Sequence, residues 1–118
     1  MNSGGNQIVA EFSVDDKTVR YCLKVLQSPD AARARAAYEW SEKHLKVVLA
    51  QAAGQSNATT EAGRERDALR SEAYQEALTL YRLNAETYFT AKDRRDAASA
   101  TFEAWRTLQS NERAFART

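Results

Sequence analysis

From Ser71 to about Arg113 the chain contains neither proline nor glycine, and this uninterrupted stretch constrains the fold more than any other feature. With no backbone breaker in the way, the simplest consequence is one helix over 72–113, roughly 60 Å long at ~1.5 Å per residue. Along it Tyr74, Ala77, Leu78, Tyr81, Ala85, Tyr88, Ala91, Arg95, Ala98, Phe102 and Trp105 recur in steps that are mostly three or four. Side chains so spaced share one face, so the stretch reads as a helix-pairing seam. A seam needs another helix to cover it.

Two shorter segments supply that cover. Ser28-Pro29-Asp30 is a start signal, with serine at the cap, proline where no amide partner is needed and aspartate in the first turn. It predicts a helix over 29–53, with Gly54 as a left-handed stop. Ala34, Ala37, Tyr38, Ser41, Leu45, Val48, Leu49 and Ala52 form one face of it, and Ala36, Trp40 and Val47 a second. Upstream, Ser13 followed by Asp16 resembles a capping box and predicts a helix over 14–27. Its stripe is Val14, Thr18, Tyr21, Cys22 and Val25, widened by Val19, Leu23 and Leu26. The 29–53 helix, only ~35 Å long, covers about half of the long seam, and the 14–27 helix covers the rest.

The expected fold class is therefore all-α: an elongated antiparallel helical hairpin or three-helix arrangement with one long C-terminal helix. Residues 13–118 form the single domain expected of a chain of 118 residues. Residues 1–12 read as a mobile arm, because 1–7 have turn chemistry and the apolar run Ile8–Phe12 has no second strand to pair with. Residues 55–60 are polar with a turn at Ser56-Asn57, and 61–70 are highly charged and interrupted by Gly63. Together they read as a loop with one helical turn.

Alanine supplies much of the 43% hydrophobic content, which suits close helix approach over a thick core. Lys and Arg number 17 against 16 Asp and Glu, so no global field steers the chain to nucleic acid or to an anionic membrane. One cysteine rules out an internal disulfide, and there is neither a signal peptide nor an apolar run of ~18 residues. No membrane association is expected, and the cytoplasm is the expected location.

Catalytic signals are missing. His44, the single histidine, sits between Lys43 and Lys46 with no nucleophile motif around it, and reads as a surface or boundary residue. Cys22 lies on an apolar helix face, where a thiol behaves as a small hydrophobe. Carboxylates do pair at helical spacing, as Glu39 with Glu42, Glu61 with Glu65, Glu72 with Glu76 and Asp93 with Asp96. Each pair lies near Lys or Arg, so a solvated charged face is favoured over a metal site. No glycine-rich phosphate loop follows a strand. The expectation is a protein that is not an enzyme and carries no metal or cofactor.

A line of arginines remains. At 100° per residue Arg95, Arg106 and Arg113 fall in one narrow sector of the long helix, with Ser99, Phe102 and Gln109 between them. Over 91–118 Lys92, Arg94, Arg95, Arg106, Arg113 and Arg117 face Asp93, Asp96, Glu103 and Glu112, a net charge of plus two. Such a surface suits a phosphate backbone, single-stranded DNA above all. The competing reading, which carries more weight, pairs these arginines with acids across the hairpin or a dimer seam.

The segment from Phe102 to Ala114 contains Glu103-Ala104-Trp105-Arg106-Thr107 followed by Asn111-Glu112-Arg113-Ala114. It resembles the ending of a group of small helical proteins of tailed bacteriophages and prophages, which finish in Glu-Ala-Trp-Arg-Thr and Asn-x-Arg-Ala. The likeness extends back through Tyr74-Gln75-Glu76-Ala77-Leu78, over about residues 65–115. By position Trp105, Arg106, Asn111 and Arg113 match the motif. Such proteins are encoded near single-strand annealing and single-strand-binding proteins, so the resemblance implies an accessory binding or scaffold role in phage DNA recombination or replication, in the host cytoplasm. It brings no catalytic residue. The alternative is a purely structural or inhibitory protein-interaction module without nucleic-acid binding.

Apolar groups on two faces of the 29–53 helix, with Leu83, Phe89 and Leu108 beside the main seam, exceed what a two-layer hairpin covers. A homodimer or higher oligomer is therefore expected, with Trp40, Trp105, Phe102, Tyr81 and Tyr88 as its anchors, against the alternative of a three-helix monomer.

Overall fold

The computed structural model describes residues 14–117, so the 1–12 arm and the start at Ser13 lie outside the described residues. The fold is all-α. It has four helices, α1 (Asp16–Gln27), α2 (Asp30–Gly54), α3 (Glu61–Arg70) and α4 (Glu72–Arg117), and no strand among the described residues. α4 is the long C-terminal helix, with 46 residues. Contacts divide the described chain into two compact units, 29–91 and a second that joins 14–28 to 92–117. α4 contributes to both.

In the 29–91 unit α2 and the first part of α4 form a helical hairpin. The inward line of α2 is the first of its two expected faces: Ser41 and Val48 are buried, and Ala34, Tyr38, Leu45, Leu49 and Ala52 are half-buried. Ala37, assigned to the same face, is exposed. Ser41, with no exposed surface, gives its hydroxyl proton to the carbonyl of Tyr38 at 2.9 Å. A buried polar group so satisfied costs little, and its small size lets the helices approach. Tyr38 stands between Tyr81 and Tyr88, with ring centroids 5.5 and 5.4 Å away, and Phe89 meets it edge-on at 5.6 Å. Asn84 Nδ2 donates to the Ala37 carbonyl at 3.2 Å, a side-chain tie between the two helices.

The expected loop over 55–70 is corrected, because 61–70 is the helix α3. Its caps explain why. Thr60 Oγ1 accepts from the Gly63 amide at 3.0 Å, Glu61 complements the positive end and Arg70 the negative end. Ala68 is wholly buried, and α3 packs on α2. Gly63 is no breaker. A Cβ there would stand 3.0 Å from both Ala58 Cβ and Thr60 Oγ1, so glycine gives clearance to the incoming loop. That loop is tied down by Arg64 Nε donating to the Ala58 carbonyl at 3.0 Å and by Ser56 Oγ donating to Asp67 at 2.5 Å.

Two expected helix ends also differ. Gly54 is not left-handed, since no described residue has positive φ; instead Gln55 stays in the helical region and its amide reaches the Gln51 and Ala52 carbonyls. Ser28 closes α1, its amide donating to the Val25 carbonyl, and Pro29 takes the cap position of α2. Ser71, the residue between α3 and α4, serves both. Its hydroxyl donates to the Ala68 carbonyl at 2.6 Å and accepts from the Tyr74 amide at 3.2 Å.

In the second unit α1 is capped by Asp15, whose Oδ1 accepts from the Thr18 amide at 2.7 Å. Val19 and Cys22 are its buried residues, whereas Thr18 and Tyr21, expected in the stripe, are exposed. The apolar face is turned toward Val19 because Cys22 and Leu23 lie one turn from it and Leu26 two turns from it on that side. On α4, Ala98 is buried and Phe102, Trp105 and Leu108 are half-buried.

Candidate functional site

The arginine line lies on the part of α4 that belongs to the second unit. Arg95, Arg106 and Arg113 are all exposed, within about 20° of one another at 100° per residue. Buried Ala98 and half-buried Trp105 lie some 60–80° to one side, so the line runs along the edge of the apolar stripe. Arg106 Nη1 meets Glu103 Oε1 at 3.3 Å, one turn away on the same helix, and Arg113 Nε donates to the Gln109 carbonyl at 3.4 Å. Both contacts are local and exposed, and a pair of this kind holds its charge with ~0–1 kcal/mol, so the guanidinium groups stay available to an anion.

Beside the line is an open depression of about 550 Å³. Phe102, Trp105, Arg106, Gln109, Asn111 and Arg113 line it, so every matched position of the C-terminal motif borders one surface. The Phe102 and Trp105 rings are 5.6 Å apart. The described lining residues all belong to one helix, and they bring aromatic, polar and basic side chains together on it.

The other expected anchors divide. Tyr81 and Tyr88 are half-buried and pack on Tyr38 inside the 29–91 unit. Trp40 is 56% exposed, its indole stacked on the His44 imidazole at 4.7 Å with 10° between the planes. Val47 is 52% exposed on the same side of α2, and Leu83 on α4 is 57% exposed.

Sequence reasoning missed the role of Tyr38. Its hydroxyl and that of Tyr81 share a hydrogen bond at 3.3 Å, and this bond, with burial second, raises the Tyr38 pKa above the ordinary phenol value. The signal was present in the seven-residue spacing of Tyr74, Tyr81 and Tyr88, which leaves a slot for one ring between successive tyrosines. Asp15 is shifted the other way, its carboxylate held below the usual range by the hydrogen bonds from Thr18.

Cys22 is a buried free thiol. Among the described residues no group of three His, Cys, Asp or Glu side chains is placed to hold a metal ion, and no helix is long and apolar enough to cross a membrane. No family model, curated protein or solved structure matches the chain. The molecule presents a polar, aromatic and basic strip on one unit and exposed apolar side chains on the other.

Proposed function

We propose that the chain is a non-catalytic accessory binding or scaffold protein of phage or prophage type, acting through helix faces offered to protein partners, a second copy of itself among them. One observation carries this reading. In the 29–91 unit the inward seam is filled by Tyr38, Tyr81 and Tyr88, yet Trp40, Val47 and Leu83 each keep more than half of their surface exposed. Large apolar side chains turned outward on rigid helices are the usual material of recognition surfaces. The phage setting, with its link to DNA recombination or replication, is supported by the C-terminal resemblance.

Capture from phage-infected or lysogenic cells tests the reading, with the wild-type chain and Trp40→Ala as paired baits. A partner retained by the wild type and lost by the variant is expected. Equal capture by both baits would remove this face from the function, and turnover abolished by His44→Ala or Cys22→Ala would replace binding by catalysis.

A second reading, contact with single-stranded DNA, is favoured by the placement of Arg95, Arg106 and Arg113 beside the Phe102 and Trp105 rings. Oligonucleotide anisotropy across a salt series tests it. Contact predicts steep weakening with salt and a flatter slope, by roughly two charges, in Arg106→Ala/Arg113→Ala. Salt-independent or absent binding leaves the protein-interaction module.

A further inference from the structure

We propose that a second copy of this chain covers one side of the 29–91 unit, with α2 of each copy packed on α4 of the other about a two-fold axis parallel to the helices. The proposal rests on the reading above that the chain binds a copy of itself, and it names the surface.

α2 carries a second seam. Arg33, Ala37, Trp40, His44, Val47 and Gln51 follow one another in alternating steps of four and three, one residue out of phase with the inward line through Tyr38, Ser41, Leu45 and Val48. All but half-buried His44 are exposed. α4 has a matching outer line, Glu76, Leu80, Leu83, Thr87 and Thr90, all exposed and again in steps of four and three. Seams of this period fit a helix as occupant, because only a helix keeps step with them over several turns. The two lines open on the same side of the hairpin. The Asn84 to Ala37 hydrogen bond crosses on that side, Ala37 lying in the α2 line and Asn84 next to Leu83. The opposite side is furnished already, by Phe89 on Tyr38 and by α3 on the end of α2.

Charge selects the second copy and its orientation. The α2 line starts at Arg33 and has Lys43 beside it, and the α4 line starts at Glu76 and has Glu86 beside it, all exposed. An axis perpendicular to the helices would set α2 against α2 and bring basic flanks together. An axis parallel to them sets α2 against the partner's α4 and keeps every residue at its own height. Ala37 stands level with Asn84, and in an antiparallel pair each step along α2 is a step back along α4. Lys43 then comes within two residues, about 3 Å of axial rise, of the partner's Glu76. Arg33 is offset equally little from the partner's Glu86, and Trp40 lies over the partner's Leu80 and Leu83. The symmetry forms each contact twice.

Light scattering after size exclusion, with sedimentation to obtain Kd, tests this on the full chain and on Lys43→Glu, Glu76→Lys and the double variant. These positions are exposed, and helicity by circular dichroism checks that each variant folds. The expected result is a wild-type dimer at low micromolar concentration, a Kd raised by about tenfold or more in each single variant, and recovery toward the wild-type Kd in the double variant, in which the charges are exchanged. A wild-type dimer whose Kd ignores both reversals, or a double variant whose losses simply add, overturns this face and leaves self-association standing. A wild type that stays monomeric at 100-fold higher concentration overturns both.

Discussion

The two parts of α4 offer the same spacing to unequal neighbours. Within the 29–91 unit it runs beside α2, which has 25 residues, and Tyr74, Tyr81 and Tyr88 are all half-buried. Within the second unit its described neighbour is α1, with 12 residues or ~18 Å of length. There the burial of α4 is confined to Ala98, with Thr101, Phe102, Trp105, Leu108 and Gln109 half-buried and 110–117 exposed throughout. Seam chemistry is comparable in the two parts, and the longer described neighbour goes with the longer run of half-buried aromatic positions.

Overfilling the tighter part should have the largest effect. Ser41→Leu puts a branched chain where a fully buried hydroxyl now sits, and is expected to destabilise the protein by about 1–3 kcal/mol in urea unfolding. An unchanged midpoint would mean that the two helices are no closer there than α1 and α4 are in the other unit.

The glycines sharpen the contrast between packed and open sites. Gly54→Ala meets nothing within 4 Å at a residue without positive φ, so it should stabilise by about 0.4–1 kcal/mol. Gly63→Ala should give none of that gain, because the new methyl crowds Ala58 and Thr60. Thermal melts of both variants check this, and equal gains would remove the clearance role given to Gly63.

Acid and alkali should separate the two units by the smallest margin. Tyr38 has a raised folded-state pKa, so its contribution is complete below the ordinary phenol value and is lost as pH rises through the folded value. Asp15 has a lowered one, so its contribution is present above the unfolded carboxyl pKa and is lost as pH falls through the folded value. Stability measured against pH should lose its alkaline step in Tyr38→Phe and its acid step in Asp15→Asn. The opposite assignment of steps would contradict the hydrogen bonds at 3.3 and 2.7 Å.

Where periodicity is strong the sequence is a good guide. The long helix and the inward faces through Tyr38, Ser41 and Val48 follow from steps of three and four. α3 was hidden because it buries only Ala68, so it has almost no apolar stripe; its helix comes from Thr60, Ser71 and packing on α2, of which only the caps are written locally. Gly63 misled for the same reason, since the need for a bare Cα appears only once Ala58 has been brought back across it. The arginine line was legible as an angular coincidence, and the local partners Glu103 and Gln109 follow from spacings of three and four. What Trp40 touches was not, because an aromatic at the margin of two faces can turn either way until both neighbours are known.

The tyrosine ladder has a further consequence for how the hairpin finds its alignment. Tyr38 occupies the slot between Tyr81 and Tyr88, yet the slot between Tyr74 and Tyr81 is nearly the same, one seven-residue step or ~10.5 Å along the axis. Sliding the other way would set Tyr38 against Arg95 in place of a ring, so that mistake is discouraged by the side chains themselves. The first mistake is not. What forbids it is the connection, since α3 is joined to α4 through Ser71 alone, with one hydroxyl bonded to both helices, and leaves no spare chain for a shift. The phase of the aromatic zipper is thus set by a short charged helix outside it, and lengthening that joint by a few residues would turn one alignment into two.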